Sequence, residues 1–71
     1  MDKTIIDFAK ALEEAGLSSK GAHKNEQFLS TVKAIVSMSK EEFADYIKAN
    51  PNEKVKLIYN EYNDWIQSYV G

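Results

Sequence analysis

The last third of the sequence carries apolar side chains at helical spacing, and this pattern constrains the fold more than any other feature. At about 100° per residue, eight of them fall within one arc of roughly 140°. They are Val55, Ile58, Tyr59, Tyr62, Trp65, Ile66, Tyr69 and Val70. Polar residues such as Asn60 and Asp64 lie outside the arc. The pattern predicts one continuous helix over residues 51–69, with Asn50 as its N-cap and Pro51 at its first position.

Two shorter helices are predicted in the first half of the chain. The first covers residues 5–15, with Thr4 as its N-cap and Gly16 as the residue that ends it. The second covers residues 26–37 and follows Asn25, whose side chain is suited to cap a helix. Both segments repeat apolar residues every three or four positions, so each is expected to bury one face.

The clearest helix start in the sequence precedes a third helix, predicted over residues 40–49. Ser39 and Glu42 have the spacing of a capping box, in which each side chain bonds the backbone N–H of the other residue. Met38 and Phe43 match the hydrophobic staple that often flanks such a box. This segment is therefore expected to start sharply, and the proline that follows it sets its end.

These elements predict an all-α fold, a compact bundle of four helices in which the C-terminal helix is the longest. We expect residues 1–71 to form a single helical domain, because so short a chain has room for only one. A chain of this size buries only about 60% of the surface that it exposes when unfolded. Since the sequence has no cysteine for a disulfide, packed apolar helix faces must supply the stability.

The sequence also bears on location and origin. No stretch approaches the roughly 18 to 20 continuous apolar residues of a membrane span, and the first residues lack the basic start and apolar run of a secretory signal. We therefore expect a cytoplasmic protein without membrane contact. Six isoleucines, five asparagines and no arginine are typical of a low-GC genome, and the small size suggests a phage or mobile element acting in a host cytoplasm.

Catalytic, cofactor and metal sites are not expected in this chain. Nucleophilic catalysis needs a nucleophile held beside a base, but cysteine is absent and His23 is the one histidine. The nearest serines fall with it in a loop predicted over residues 18–25. Glu13 and Glu14 point about 100° apart on a helix and are interpreted as solvated surface. His23 is interpreted as a surface loop residue. We do not expect the chain to be an enzyme.

The middle of the chain is its one basic segment, since residues 17–40 contain four lysines and a single acid while both flanking segments are acidic. This segment supplies the candidates for phosphate contact, which are Lys20, His23, Lys24 and Lys33. Residues 15–18 resemble the turn of a helix-turn-helix, but Gly21 would fall inside the recognition helix and no arginine is present to read guanine. Nucleic-acid association through lysines is therefore the alternative function.

The leading hypothesis is protein–protein interaction through the C-terminal helix. Leu57 lies outside the apolar arc and Trp65 at its margin, whereas Tyr59 and Tyr62 are interpreted as core residues whose hydroxyls reach water. The candidate partner-binding residues, four apart on one flank, are Leu57, Glu61, Trp65 and Tyr69. Aromatic residues on a partly exposed column are typical of interface anchors. We expect a small regulator or inhibitor that binds another protein or forms a homodimer, with a structural homo-oligomer subunit as a further alternative.

Overall fold

The computed structural model describes residues 2–70 and contains four α-helices in that range. These are α1 (Lys3–Glu14), α2 (Glu26–Val36), α3 (Lys40–Ala49) and α4 (Glu53–Val70), with a short 3₁₀ turn (Ala22–Lys24) between α1 and α2. No strand occurs between residues 2 and 70. The predicted all-α class is confirmed, and α4, with 18 residues, is the longest of these helices. Across the same residues, no helix combines the length and apolar character that crossing a membrane requires.

The chain divides into two compact units, one ending at Lys33 and the other beginning at Ala34. The first unit contains α1, the 3₁₀ turn and most of α2, and the second contains the end of α2 together with α3 and α4. The boundary therefore lies within a single helix. A single domain over residues 1–71 stays a prediction, and its two terminal residues lie outside the described part of the chain.

The buried residues of the first unit come from one stripe on each of its helices, at the three- and four-residue spacing of an amphipathic helix. They are Ile5, Phe8, Ala9, Leu12, Leu29 and Val32. Fully burying a side chain of the size of leucine or phenylalanine stabilises a fold by about 1.5–3 kcal/mol. These side chains therefore contribute much of the stability of the fold.

Helix α1 begins two residues earlier than the sequence predicts, because Asp2 and not Thr4 caps it. The Oδ1 atom of Asp2 accepts a hydrogen bond from the backbone N–H of Thr4 at 2.9 Å, and aspartate is at least as good an N-cap as threonine. At the other end, Gly16 has a φ of 75° and the N–H of Leu17 donates to the carbonyl of Leu12 at 2.8 Å. This is a Schellman ending, so the predicted role of Gly16 is confirmed.

The predicted caps of α2 and α3 are both confirmed. The side-chain oxygen of Asn25 accepts from the N–H of Phe28 at 3.1 Å, at the start of α2. Ser39 Oγ accepts from the N–H of Glu42 at 3.1 Å, and Glu42 Oε1 accepts from the N–H of Ser39 at 2.9 Å. The bond from the Ser39 N–H is the main reason that the pKa of Glu42 is lowered. Helix α3 therefore spans the predicted residues.

Helix α4 begins two residues later than predicted, because Asn50 caps the end of α3 instead of the start of α4. Its N–H donates to the carbonyl of Tyr46 at 2.8 Å, and its side-chain amide donates to the same oxygen at 3.3 Å. Asn52 is the N-cap of α4, since its Oδ1 accepts from the N–H of Val55 at 3.2 Å. Pro51 consequently lies in the connection and not in the first turn.

In the second unit, α3 and α4 are joined through aromatic packing. The rings of Phe43 and Tyr59 stack with centroids 3.9 Å apart and an interplanar angle of 5°. Tyr59 is only 6% exposed, and its hydroxyl donates to the carbonyl of Met38 at 2.9 Å. The prediction that Tyr59 lies in the core is confirmed, and its hydroxyl bonds a backbone carbonyl. Ile35 and Ile58 are the other buried apolar residues of this unit.

Candidate functional site

One flank of α4 carries the four residues that the sequence predicts to bind a partner. Each lies about 6 Å further along the helix and about 40° further around it than the previous one. They form the α4 column, which consists of Leu57, Glu61, Trp65 and Tyr69. Leu57 and Tyr69 are each 42% exposed, whereas Glu61 and Trp65 are half-buried. Both ends of the column are therefore accessible to a partner, and its middle is partly so.

The aromatic residues of α4 hold one another in place. The rings of Trp65 and Tyr69 stack with centroids 4.5 Å apart and an interplanar angle of 27°. Tyr62 lies on the preceding turn, with its ring centroid 6.1 Å from that of Trp65 at a tilt of 39°. Both distances are in the favourable range for aromatic pairs. An indole restrained by its neighbours loses little further conformational freedom when a partner binds, which reduces the cost of binding.

Within the apolar arc, exposure increases from Ile58 toward the C-terminal end of α4. Ile58 is 5% exposed, but Val70 is 74% exposed. Helix α4 continues about 16 Å past Tyr59, whereas α3 extends at most about 9 Å beyond Phe43 at 1.5 Å per residue. Within this unit, α3 is therefore too short to cover the last turns of α4. Val70 belongs to the apolar arc that the sequence pattern defines, and it is exposed for this reason.

Glu61 is the charged member of the α4 column. It is half-buried, and its side chain makes no hydrogen bond or ion pair with any residue from 2 to 70. No lysine lies three or four residues from it, so α4 cannot supply a cation at the spacing that pairs charges on a helix. Its column neighbours, one turn away on each side, are Leu57 and Trp65. Its carboxylate is therefore the one charge of the column, and it has no partner among residues 2–70.

A second candidate site is an open pocket of about 290 Å³ beside the C-terminal half of α1. Five side chains line it, namely Lys10, Glu13, Glu14, Lys20 and His23. The structure therefore brings together two of the four predicted phosphate-contacting residues and adds Lys10, which the sequence analysis missed. The other two, Lys24 and Lys33, are exposed and do not line this pocket.

Glu13 fixes the segment that forms one wall of the pocket. Its Oε1 accepts from the N–H of Gly21 at 2.6 Å, and its Oε2 accepts from the N–H of His23 at 3.1 Å. The imidazole Nδ1 of His23 also pairs with Oε2. The bond from Gly21 is the main reason that the pKa of Glu13 is lowered; burial opposes it, and the contacts with His23 reinforce it. Gly21 has a φ of 87°, in the left-handed region that favours glycine.

This geometry corrects two interpretations made from the sequence. The side chain of Glu13 is only 12% exposed, so it is a structural clamp and not solvated surface. His23 lies in the 3₁₀ turn, half-buried and bonded through both its backbone and its ring, so it is not a free surface residue. The sequence feature that could have indicated these contacts of Glu13 is Gly16, where the chain reverses and the following loop turns back toward the last turn of α1. That reversal makes a contact across eight to ten residues feasible.

The pocket offers charge but little else to a ligand. Lys10 and Lys20 form no ion pair with any residue in the described range, so their ammonium groups are available to an anion. The carboxylates of Glu13 and Glu14 offset that charge. The five lining side chains include no hydroxyl or thiol. Nowhere between residues 2 and 70 do three or more histidine, aspartate or glutamate side chains form a group suited to a metal ion.

Comparison with known proteins gives no match for this chain. No protein-family model matches it, and neither curated proteins nor solved structures match it. The function of the chain is therefore inferred from its own residues.

Proposed function

We propose that this chain is a non-catalytic interaction module, a small cytoplasmic regulator or inhibitor that docks on another protein through the α4 column. The observation that carries the proposal is the exposure of large apolar side chains along one helix. Leu57 and Tyr69 at the two ends of the column, and Val70 beside it, are all exposed. Exposed apolar groups clustered on one element mark interaction surfaces more often than scattered single residues do.

The residue types and their spacing fit docking of a helix into a groove. From Leu57 to Tyr69 the column is about 18 Å long, and its members recur every four residues, as anchors of such helices do. Tryptophan and tyrosine are the residues most often found at the energetic centres of protein interfaces. The contacts of Trp65 with Tyr62 and Tyr69 restrain its ring before binding, which favours affinity.

The proposal is tested by a pull-down from a lysate of the native host. The host proteins retained by the immobilised wild type are compared with those retained by two column variants. Leu57→Lys places a charge at one end of the column, and Trp65→Ala removes its central ring. Gln67→Lys is the matched control, because it adds the same charge to α4 at an exposed position on the opposite flank. Circular dichroism establishes that all variants fold.

The expected result is a host protein that wild type and Gln67→Lys both retain and that Leu57→Lys and Trp65→Ala both lose. Truncating a central interface tryptophan costs about 2 kcal/mol or more, which weakens binding at least about thirtyfold. If every protein that the wild type retains binds Leu57→Lys and Trp65→Ala as strongly as it binds the wild type, the column is not the docking surface.

Nucleic-acid association is a second candidate, favoured by the pocket that Lys10 and Lys20 both line. Binding of a short DNA duplex, followed by fluorescence anisotropy, should then weaken steeply as salt increases. The double change Lys10→Gln and Lys20→Gln should reduce both the affinity and the salt dependence, whereas Lys48→Gln on α3 should not. Absence of binding at low salt excludes this candidate.

A further inference from the structure

The half-buried acidic residue Glu61 separates the α4 column from an ordinary apolar patch. Between residues 2 and 70, the other half-buried acids are Asp7 and Glu13, and both engage other residues. Glu61 alone among these three has no side-chain hydrogen bond or ion pair within the described chain. The fold therefore leaves one unpaired negative charge between Leu57 and Trp65.

Docking of a purely apolar partner on this column would desolvate Glu61 and leave its charge unpaired. Burial of an unpaired carboxylate strongly opposes association. A partner that places a cation against Glu61 converts the same burial into a favourable contact. The surroundings reinforce this demand, because Asp64 lies three residues further along α4, is exposed and has no ion pair within residues 2–70.

Arginine meets these requirements better than lysine. Its guanidinium is planar and weakly hydrated, and it can bond both oxygens of a carboxylate at once. It also packs favourably against aromatic rings, and the partly exposed ring of Trp65 lies one turn from Glu61. A lysine ammonium is more strongly hydrated and makes neither the forked contact nor the planar one.

A second copy of this chain is a poor occupant of the column. All nine of its basic residues are lysine. In a parallel two-fold pair, each Glu61 faces its equivalent. An antiparallel pair that sets Leu57 against Trp65 of the other copy also brings the two Glu61 side chains together, because Glu61 is midway between them. Both arrangements oppose like charges, which is unfavourable.

We infer that the α4 column binds a foreign protein segment in which an arginine is flanked by apolar residues, with its guanidinium paired to the Glu61 carboxylate. This inference rests on the proposed function and names the chemistry of the partner. The apolar flanks cover Leu57 and Tyr69, and the arginine lies over the middle of the column.

The test is selection of peptides from a random display library on the wild-type protein, with counter-selection on the double variant Leu57→Lys, Trp65→Ala. The enriched peptides are expected to carry arginine among apolar residues. Replacing that arginine by citrulline, its neutral analogue, should weaken binding about tenfold or more. Glu61→Gln should cause a similar loss, and the two changes together should cost little more than either alone, since both remove one interaction.

Glu41→Gln is the matched control, because Glu41 is an exposed acid on α3 with no hydrogen bond or ion pair inside the described range; it should leave the affinity unchanged. Enriched peptides that depend on Leu57 and Trp65 but lack arginine, or bind Glu61→Gln equally well, overturn this inference and leave the proposed function standing. If no peptide depends on the column, both are overturned. A homodimer in sedimentation equilibrium that Trp65→Ala dissociates also overturns it, because a second copy then occupies the column.

Discussion

The hydroxyl of Tyr59 connects α4 to the residue that precedes the cap of α3, so its removal tests the packing that supports the α4 column. In the variant Tyr59→Phe, the ring that stacks on Phe43 at 3.9 Å is kept. The hydrogen bond that the hydroxyl donates to the Met38 carbonyl at 2.9 Å is lost. The change therefore isolates one hydrogen bond from the apolar packing around it.

The magnitude follows from the surroundings of this bond. A neutral intramolecular hydrogen bond contributes about 0.5–1.5 kcal/mol to stability, and this bond is partly buried. We expect a loss of about 1 kcal/mol. Unfolding entropy near 2.1 cal/mol/K per residue gives roughly 150 cal/mol/K for this chain. The expected decrease in Tm is therefore about 7 °C.

Thermal unfolding followed by circular dichroism measures this decrease directly. Tyr46→Phe on α3 is the matched control, because Tyr46 is exposed and its hydroxyl has no bond to residues 2–70. We expect its Tm to stay within about 3 °C of the wild type. Equal melting of the wild type and Tyr59→Phe would show that this hydroxyl does not stabilise the join between α3 and α4.

Two further predictions concern the caps and the clamp of the fold. Ser39→Ala removes the Ser39 side-chain half of the capping box and should cost about 1 kcal/mol, seen as a Tm about 7 °C lower; an unchanged Tm contradicts the role of the box. Because the pKa of Glu13 is lowered in the folded chain, its hydrogen bonds stabilise the fold above the ordinary glutamate pKa, and this stability is lost as pH falls through the lowered value. Glu13→Gln should therefore lower the Tm at neutral pH and make the Tm depend less on pH in the acid range. Glu14→Gln, which changes the adjacent exposed residue, should do neither. Identical curves of Tm against pH for Glu13→Gln and the wild type would show that the Glu13 carboxylate does not hold the segment at Gly21 and His23.

The helices could be predicted from the sequence because local signals determine them. Apolar spacing defined the faces, and Ser39 with Glu42 and the turn at Gly16 set two boundaries correctly. The errors occurred where two suitable caps lie two residues apart, as with Asn50 and Asn52. Which asparagine caps α4 depends on whether the preceding helix already engages one of them. Asn50 is hydrogen-bonded to the end of α3, so Asn52 caps α4.

The candidate sites were predictable only in part. Helical period identified the α4 column, but it does not reveal how far a neighbouring helix covers each turn of α4. The Glu13 clamp was missed because it joins residues eight and ten positions apart across a chain reversal. Periodicity describes one element at a time and contains no information on such contacts.

The central claim is that the α4 column carries the binding energy for a partner protein. Its most direct test uses the host protein that the wild type retains from the lysate. Isothermal titration calorimetry measures the Kd of that host protein for the wild type, for Trp65→Ala and for Gln67→Lys. The predicted result is a Kd at least about thirtyfold weaker for Trp65→Ala and within about twofold of the wild type for Gln67→Lys. Equal affinities for all three proteins would contradict the claim.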